Sequence, residues 1–244
     1  MNILHIYKTC ILQSQGGVET FINTLCKFDS KLGLKNKILI LSPNPKKDSI
    51  ELEGYEVYQA KQIFFLASTG FSITAFFKFK KLIKDIDIIH YHFPNPYADL
   101  LHLLCKPKQK TILTYHSDII RQKIFLPFYK PIRNFFLNSL DKIIATSPNY
   151  YVTSEVLQKY SHKVSIIPIG IDHEKYESVD TKRYDYWSDQ FKEPFFLFIG
   201  ALRYYKGLHL ALDAIKDTKI NLVIAGANGV ENSLKAQANK LELN

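Results

Sequence analysis

Short, continuously apolar runs alternate with helix-like runs along most of this chain, and that alternation restricts its fold more than any other feature. NILHIYK at 2–8, KILILS at 37–42, YEVYQA at 55–60, DIIHYH at 87–92, KTILTYH at 110–116, DKIIATS at 141–147 and KVSIIP at 163–168 read as strands. Most are apolar at successive positions, the mark of strands covered on both faces. Between them, Val18, Phe21, Ile22, Leu25 and Cys26 recur at helical spacing, and residues 71–86 and 96–105 also read as helices. Strands alternating with helices predict an α/β fold with a parallel sheet between helical layers.

The pattern breaks once. Residues 169–193, IGIDHEKYESVDTKRYDYWSDQFKE, are polar, charged and aromatic without sustained periodicity, and read as an interdomain connection. It then restarts with the strands PFFLFIG at 194–200 and INLVIAG at 220–226, each followed by a loop and a helix. The expected organisation is a complete Rossmann-like domain over 1–168, a connection over 169–193 and an incomplete second Rossmann-like domain over 194–244. Two strands with an open edge bury too little surface to form an independent domain.

The apolar fraction of 46% suits well-filled cores. Cys10, Cys26 and Cys105 form neither a CxxC pair nor an even framework, so a disulfide scaffold and a zinc site are not indicated and a reducing cytoplasm fits. The start, MNILHIYKT, lacks the basic lead and long apolar core of a signal peptide. The longest uncharged stretch, between Lys61 and Lys78, is interrupted by polar residues and is shorter than the ~20 apolar residues of a spanning helix. Charge is uneven: residues 1–150 hold 20 of the 32 Lys and Arg and 11 of the 23 Asp and Glu, leaving 12 of each sign beyond. The first part is thus expected to face something anionic, or to carry a lysine-rich solvated surface.

Two loops stand where such sheets place ligands, at the carboxyl ends of strands: QGGVET at 15–20 and TYHSDIIRQ at 114–122. Gly16 and Gly17 permit close backbone approach, and the helix beginning near Val18 aims its amides at the same place. His116 ends a strand and is expected to project into the cleft. His90 and His92 alternate on a strand end and, with no third ligand in the pattern, read as structural rather than metallic. Lys78, Lys80, Lys81 and Lys84, interleaved with Phe76, Phe77 and Phe79, predict either a basic amphipathic helix in a headgroup layer or a core helix with a lysine-rich outer face. Residues 121–136 offer a second aromatic and basic surface.

The ordered strings QGGVE, HYHFPNP, TYHSD, IATSPNY, VSIIPIGID, FIGALRYYKGLHLALDAI and NLVIAG resemble the retaining glycosyltransferases of family 4, across nearly the whole chain. The resemblance implies a GT-B fold of two facing Rossmann-like domains. It implies that Gly16 and Gly17 meet donor phosphates, that His116 lies beside the reacting sugar, and that Glu19 and Asp118 lie on the acceptor or sugar side. Arg203 and Lys206, the latter matching the family's Lys-Gly pair with Gly207, would neutralise the departing diphosphate without a metal or cofactor. Implied partners are a GDP- or UDP-linked sugar, a glycan or lipid-linked acceptor and an anionic membrane surface. Nucleic acid ranks last, since no recognition motif for it is present.

The implied activity is transfer of a sugar such as mannose in surface polysaccharide or lipopolysaccharide synthesis, in the cytoplasm, on the inner face of the membrane. Family members carry two glutamates seven residues apart beyond the Lys-Gly loop, and Glu231 and Glu242 lie too early and at the wrong spacing to stand in for them. The chain is therefore expected to be truncated and inactive alone. The alternative is a non-catalytic remnant that binds anionic lipid or a second polypeptide.

Overall fold

The computed structural model describes residues 1–67, 69–119, 126–173, 178–227 and 229–243. They fall into two compact units, Met1–Ile171 and Asp172–Asn244. The first unit runs β1 (Asn2–Ile6), α1 (Gly17–Lys31), β2 (Lys35–Ser42), β3 (Ile50–Leu52), β4 (Tyr55–Lys61), β5 (Phe64–Leu66), β6 (Thr69–Phe71), α2 (Ile73–Leu82) and β7 (Ile88–Phe93). It continues with α3 (Pro96–Cys105), β8 (Lys110–Tyr115), α4 (Leu126–Ser139), β9 (Lys142–Ala145), α5 (Pro148–Thr153), α6 (Glu155–Lys159) and β10 (Val164–Ile166).

Eight of these strands form one sheet in the order β10-β9-β8-β7-β1-β2-β4-β3, parallel throughout except where β3 pairs antiparallel with β4 at one edge. The chain starts in the middle, builds outward to β4, then returns through α2 to start the other half at β7. The strand order therefore reverses between β1 and β7.

The two faces of the sheet carry different chemistry. Leu4 and Ile6 of β1, Leu39 and Leu41 of β2, Ile89, Tyr91 and Phe93 of β7, and Leu113 and Tyr115 of β8 point to one side. There they pack on Phe79 of α2, Leu101 of α3, and Phe136 and Leu137 of α4 in a single buried cluster. On the opposite side Ile38, Ile40, Tyr55 and Val57 meet Ile22 and Cys26 of α1. Helix starts follow local chemistry: the Ser72 hydroxyl accepts from the Ala75 amide at 3.1 Å, and Asn95, followed by Pro96, caps α3.

Polar groups tie α3 to its neighbours beneath the surface. The His102 ring bridges the Tyr91 and Ser139 hydroxyls, each at 2.9 Å. Buried Asp99 accepts a hydrogen bond from the Tyr129 hydroxyl, and burial pushes its carboxyl up to about 8, with Tyr129 and nearby Arg133 acting the other way. Burial brings His102 down to about 4.

Three local outcomes differ from the sequence pattern. β5 pairs antiparallel with β6, and Ile63, Phe64, Phe65 and Leu66 are exposed. Most of the unassigned aromatic and basic stretch is α4, which accommodates Pro131, while its first residues, 121–125, lie outside the described residues. Of the connection expected over 169–193, residues 181–190 are helical, α7 (Thr181–Gln190).

The second unit continues with β11 (Phe195–Ile199), α8 (Leu208–Ile215), β12 (Asn221–Ala225) and α9 (Glu231–Lys240). β11 and β12 pair in parallel, and Leu202, Leu208, Leu212 and Leu234 form a small core on one face. Leu197 and Ile199 are exposed. Among the described residues no helix is long and apolar enough to cross a membrane.

Candidate functional site

Open α/β sheets hold ligands where strand order reverses, outside the carboxyl ends of the strands. In the first unit that place lies beyond β1 and β7, and the loop into α1 and the loop after β8 both leave the sheet on this edge. Gly16 is the residue before α1, in extended conformation. A Cβ on Gly16 would stand 2.4 Å from Oε2 of Glu19, whereas one on Gly17 would meet nothing within 4 Å. A side chain at Gly16 would thus have to displace the Glu19 carboxylate, whereas Gly17 stands in open space. Buried Glu19 also accepts from the Thr9 hydroxyl at 2.6 Å, and its carboxylate sits near the amide-rich start of α1. Any ligand anion bound by these glycines shares that end of the helix with Glu19.

Beneath α1 lies a row of imidazoles that the sequence pattern did not reveal. His5 pairs in register with His90, and His92 with Thr114, so these side chains and His116 share one face of the sheet. Asn36 Oδ1 lies 3.1 Å from His5 Nε2, His5 Nδ1 lies 3.1 Å from His92 Nε2, and His92 Nδ1 lies 3.3 Å from His116 Nε2. His90 stacks on His92 at 4.4 Å between centroids and bonds Thr114 through Nε2 at 2.7 Å. Phe21 of α1 presses edgewise on His92 and His116, with centroids 5.9 and 5.2 Å away. Burial lowers His5 and His116 to about 4 and takes His90 and His92 well below the ordinary value, so the row is neutral at pH 7.

The third histidine missing from the pattern is His5, because nitrogens of His5, His90 and His92 lie within 4.8 Å of one another. The premise that no third ligand is near is therefore corrected. The available signal was parity: all three alternate with core residues on strands that neighbour each other once the order of the sheet is known.

Asp118 is held by its own surroundings. Its Oδ1 accepts from the Tyr115 hydroxyl at 2.8 Å and from Ser154 at 3.3 Å, and its Oδ2 accepts from the Tyr150 hydroxyl at 2.9 Å. It fixes the loop after β8 to α5 and α6, and a sugar hydroxyl reaching it would share oxygens already engaged. Residues 120–122 of the same loop lie outside the described residues. On the same edge, an apolar cavity of about 340 Å³ opens between the β5–β6 hairpin and α4, lined by Phe71, Pro94, Leu100, Ile119, Leu126 and Ile132.

In the second unit, Arg203 and Lys206 occupy the loop between β11 and α8, both exposed. Gly207 ends the loop at φ 72°, a left-handed conformation that glycine adopts without strain. The loop after β12 lies tightly against this one: a Cβ on Gly229 would come within 2.3 Å of the Leu202 carbonyl oxygen. Arg203 also borders a cavity of about 260 Å³ with Leu208, Val230 and Leu234.

Two family profiles match the chain in order, Glycosyltransferase Family 4 over residues 15–175 and Glycosyl transferases group 1 over residues 187–244. The chain is 42% identical over 243 residues to the D-rhamnosyltransferase WbpZ of Pseudomonas aeruginosa, covering 100% of this chain and 64% of that protein. It is 40% identical over 238 residues to the O-antigen chain mannosyltransferase C of Escherichia coli, covering 98% and 64%. It thus spans 64% of the length of both relatives. Among solved structures it is similar to sucrose-phosphate synthase from Thermosynechococcus elongatus, with TM-score 0.76 at 16% identity over 99% of this chain and 68% of that one. It is also similar to Anabaena Alr3699/HepE in complex with UDP and glucose, with TM-score 0.70 at 14% identity over 100% and 67%. At these identities the likeness concerns the fold alone.

Proposed function

This chain belongs to Glycosyltransferase Family 4, and on that premise we propose that it serves to move a sugar, mannose or a related hexose, from a nucleotide donor to a glycan or lipid-linked acceptor with retention. Its α/β architecture is that of the GT-B glycosyltransferases, with a whole first Rossmann-like unit and the opening of a second. The observation that carries the reading is the ordered match of both profiles, together with relatives named as D-rhamnosyl and O-antigen mannosyltransferases. They favour a role in lipopolysaccharide or related surface polysaccharide synthesis.

In this reading His116 handles the reacting sugar, and Gly16, Gly17, Arg203 and Lys206 meet the donor phosphates. Glu19 and Asp118 lie on the acceptor side. As the bond from the anomeric carbon to the diphosphate breaks, negative charge grows on the leaving oxygens, and the two cations offset it without a metal. A UDP-bound neighbour supports a nucleoside-diphosphate sugar as donor, with GDP the second candidate carrier. The 340 Å³ apolar cavity suits the apolar part of a lipid-linked acceptor.

Because the chain spans 64% of its relatives' length, transfer by these residues alone is expected to be undetectable, and binding is the informative readout. In saturation-transfer NMR, GDP-mannose or UDP-glucose is expected to bind. The Arg203→Ala, Lys206→Ala double variant is expected to weaken binding about tenfold or more, as when a charged hydrogen bond worth ~1.5 kcal/mol is lost. No binding of either nucleotide sugar would sink the proposal.

Peripheral attachment to the cytoplasmic face of a membrane extends the reading and also supports the alternative of a lipid-binding module. Lys80, Lys81 and Lys84 are exposed beside exposed Phe77, and the β5–β6 hairpin adds Phe64, Phe65 and Leu66. Vesicles containing anionic lipid are expected to carry the protein upward in flotation, less so at high salt, while neutral vesicles leave it behind. Equal flotation with both would refute the electrostatic part.

A further inference from the structure

The row of imidazoles has a direction, and Asn36 sets it. The Asn36 amide nitrogen donates to the Cys26 carbonyl of α1 at 3.4 Å. Turning the amide over would face its oxygen with the Cys26 carbonyl, another acceptor, and no proton between them. Asn36 Oδ1 therefore points at His5, and His5 must offer it Nε2–H. A neutral imidazole has one donor and one acceptor. His5 Nδ1 is then an acceptor and takes Nε2–H from His92. By the same step His92 Nδ1 takes Nε2–H from His116.

We propose that Asn36, His5 and His92 are positioning residues that hold His116 in its Nε2–H form and leave His116 Nδ1 as a bare acceptor for a hydroxyl of the bound sugar. The sugar's part in this rests on the role proposed for His116. Among the described residues no hydrogen-bond partner meets His116 Nδ1, while Phe21 fixes the ring from the side of α1. The chain ends on an amide oxygen, which takes no proton, so it orients the terminal imidazole rather than conducting charge. His90 stands outside the sequence of bonds, stacked on His92 and tied to Thr114.

The test is histidine ¹⁵N–¹H correlation NMR on the ¹⁵N-labelled chain at pH 7 with no sugar present. His5, His92 and His116 are each expected to show a protonated Nε2 and an unprotonated Nδ1. A His116 carrying its proton on Nδ1, or exchanging between both forms, would overturn the proposal. So would a stoichiometric zinc complex on added Zn²⁺ that removes the Nε2–H signals of His5 and His92. Asn36→Leu is expected to drop the Nε2–H population of His116 about twofold, and an unchanged population would show that Asn36 does not set the direction. Adding GDP-mannose or UDP-glucose is expected to shift the Nδ1 resonance. Its failure to move with either would remove the sugar's part while the tautomer result stood.

Discussion

Acidification from pH 7 to pH 4.5 is expected to lower the urea midpoint of this protein steeply, because its fold keeps several histidines neutral. His5, His102 and His116 are held at about 4, and His90 and His92 lower still, all chiefly by burial. An unfolded histidine takes up its proton near 6.5. Between that value and the folded one, the unfolded chain binds more protons, so the histidine contribution is complete above about pH 6.5 and is lost as pH falls. At ~1.4 kcal/mol per pH unit, His5 and His102 alone withdraw roughly 5 kcal/mol by pH 4.5.

Asp99, at about 8, opposes this. Its folded form binds the proton more tightly than the unfolded carboxyl does, so its contribution improves on acidification, by roughly 3 kcal/mol over the same interval. The histidines outnumber it, and a domain's whole stability is about 5–15 kcal/mol. Urea titrations across this pH range, followed by far-ultraviolet circular dichroism, would check the sign. Trp187, the single tryptophan, lies in α7 and reports only on the second unit. A midpoint that stays level or rises on acidification would contradict the account. Asp99→Asn, which removes one opposing carboxyl, is expected to steepen the fall.

The second large effect separates the two readings of α2. Phe79 is fully buried in the principal core, whereas Phe77, two residues earlier, is 64% exposed. Phe79→Ala is expected to cost about 3–5 kcal/mol, the usual penalty for deleting a buried aromatic ring. Phe77→Ala is expected to change stability by less than about 0.5 kcal/mol while reducing flotation with anionic vesicles. Equal destabilisation by both variants would mean that the exposed side of α2 is covered in solution. The helix fits the core reading, with Phe79 and Leu82 buried and Lys80, Lys81 and Lys84 exposed, and flotation tests the headgroup reading.

What could be read from sequence follows from how each element is stabilised. β1, β2, β7 and β8 are covered on both faces, and their apolar runs announce it. The pairing of β5 with β6 was hidden because Phe64, Phe65 and Leu66 suggest burial yet lie exposed. α7 was hidden for a related reason, since its aromatic residues Tyr184, Tyr186 and Trp187 face solvent and leave no apolar stripe to detect. The candidate site divides in the same manner. Its glycine loop and His116 stand out beside strand ends, but the bond from His5 to His92 joins residues 87 positions apart. Only the order and register of the sheet bring them together.

That register has a consequence for how the chain finds its native pairing. Because side chains alternate across a strand, a slip of β1 by one residue against β7 would turn His5 into the greasy layer beside Phe79 and lift Leu4 and Ile6 toward α1. Such a mispaired sheet would trap an imidazole where nothing polar awaits it. The buried histidines thus act as a keyed fit, discarding wrong alignments of the central strands that an all-aliphatic sheet would tolerate.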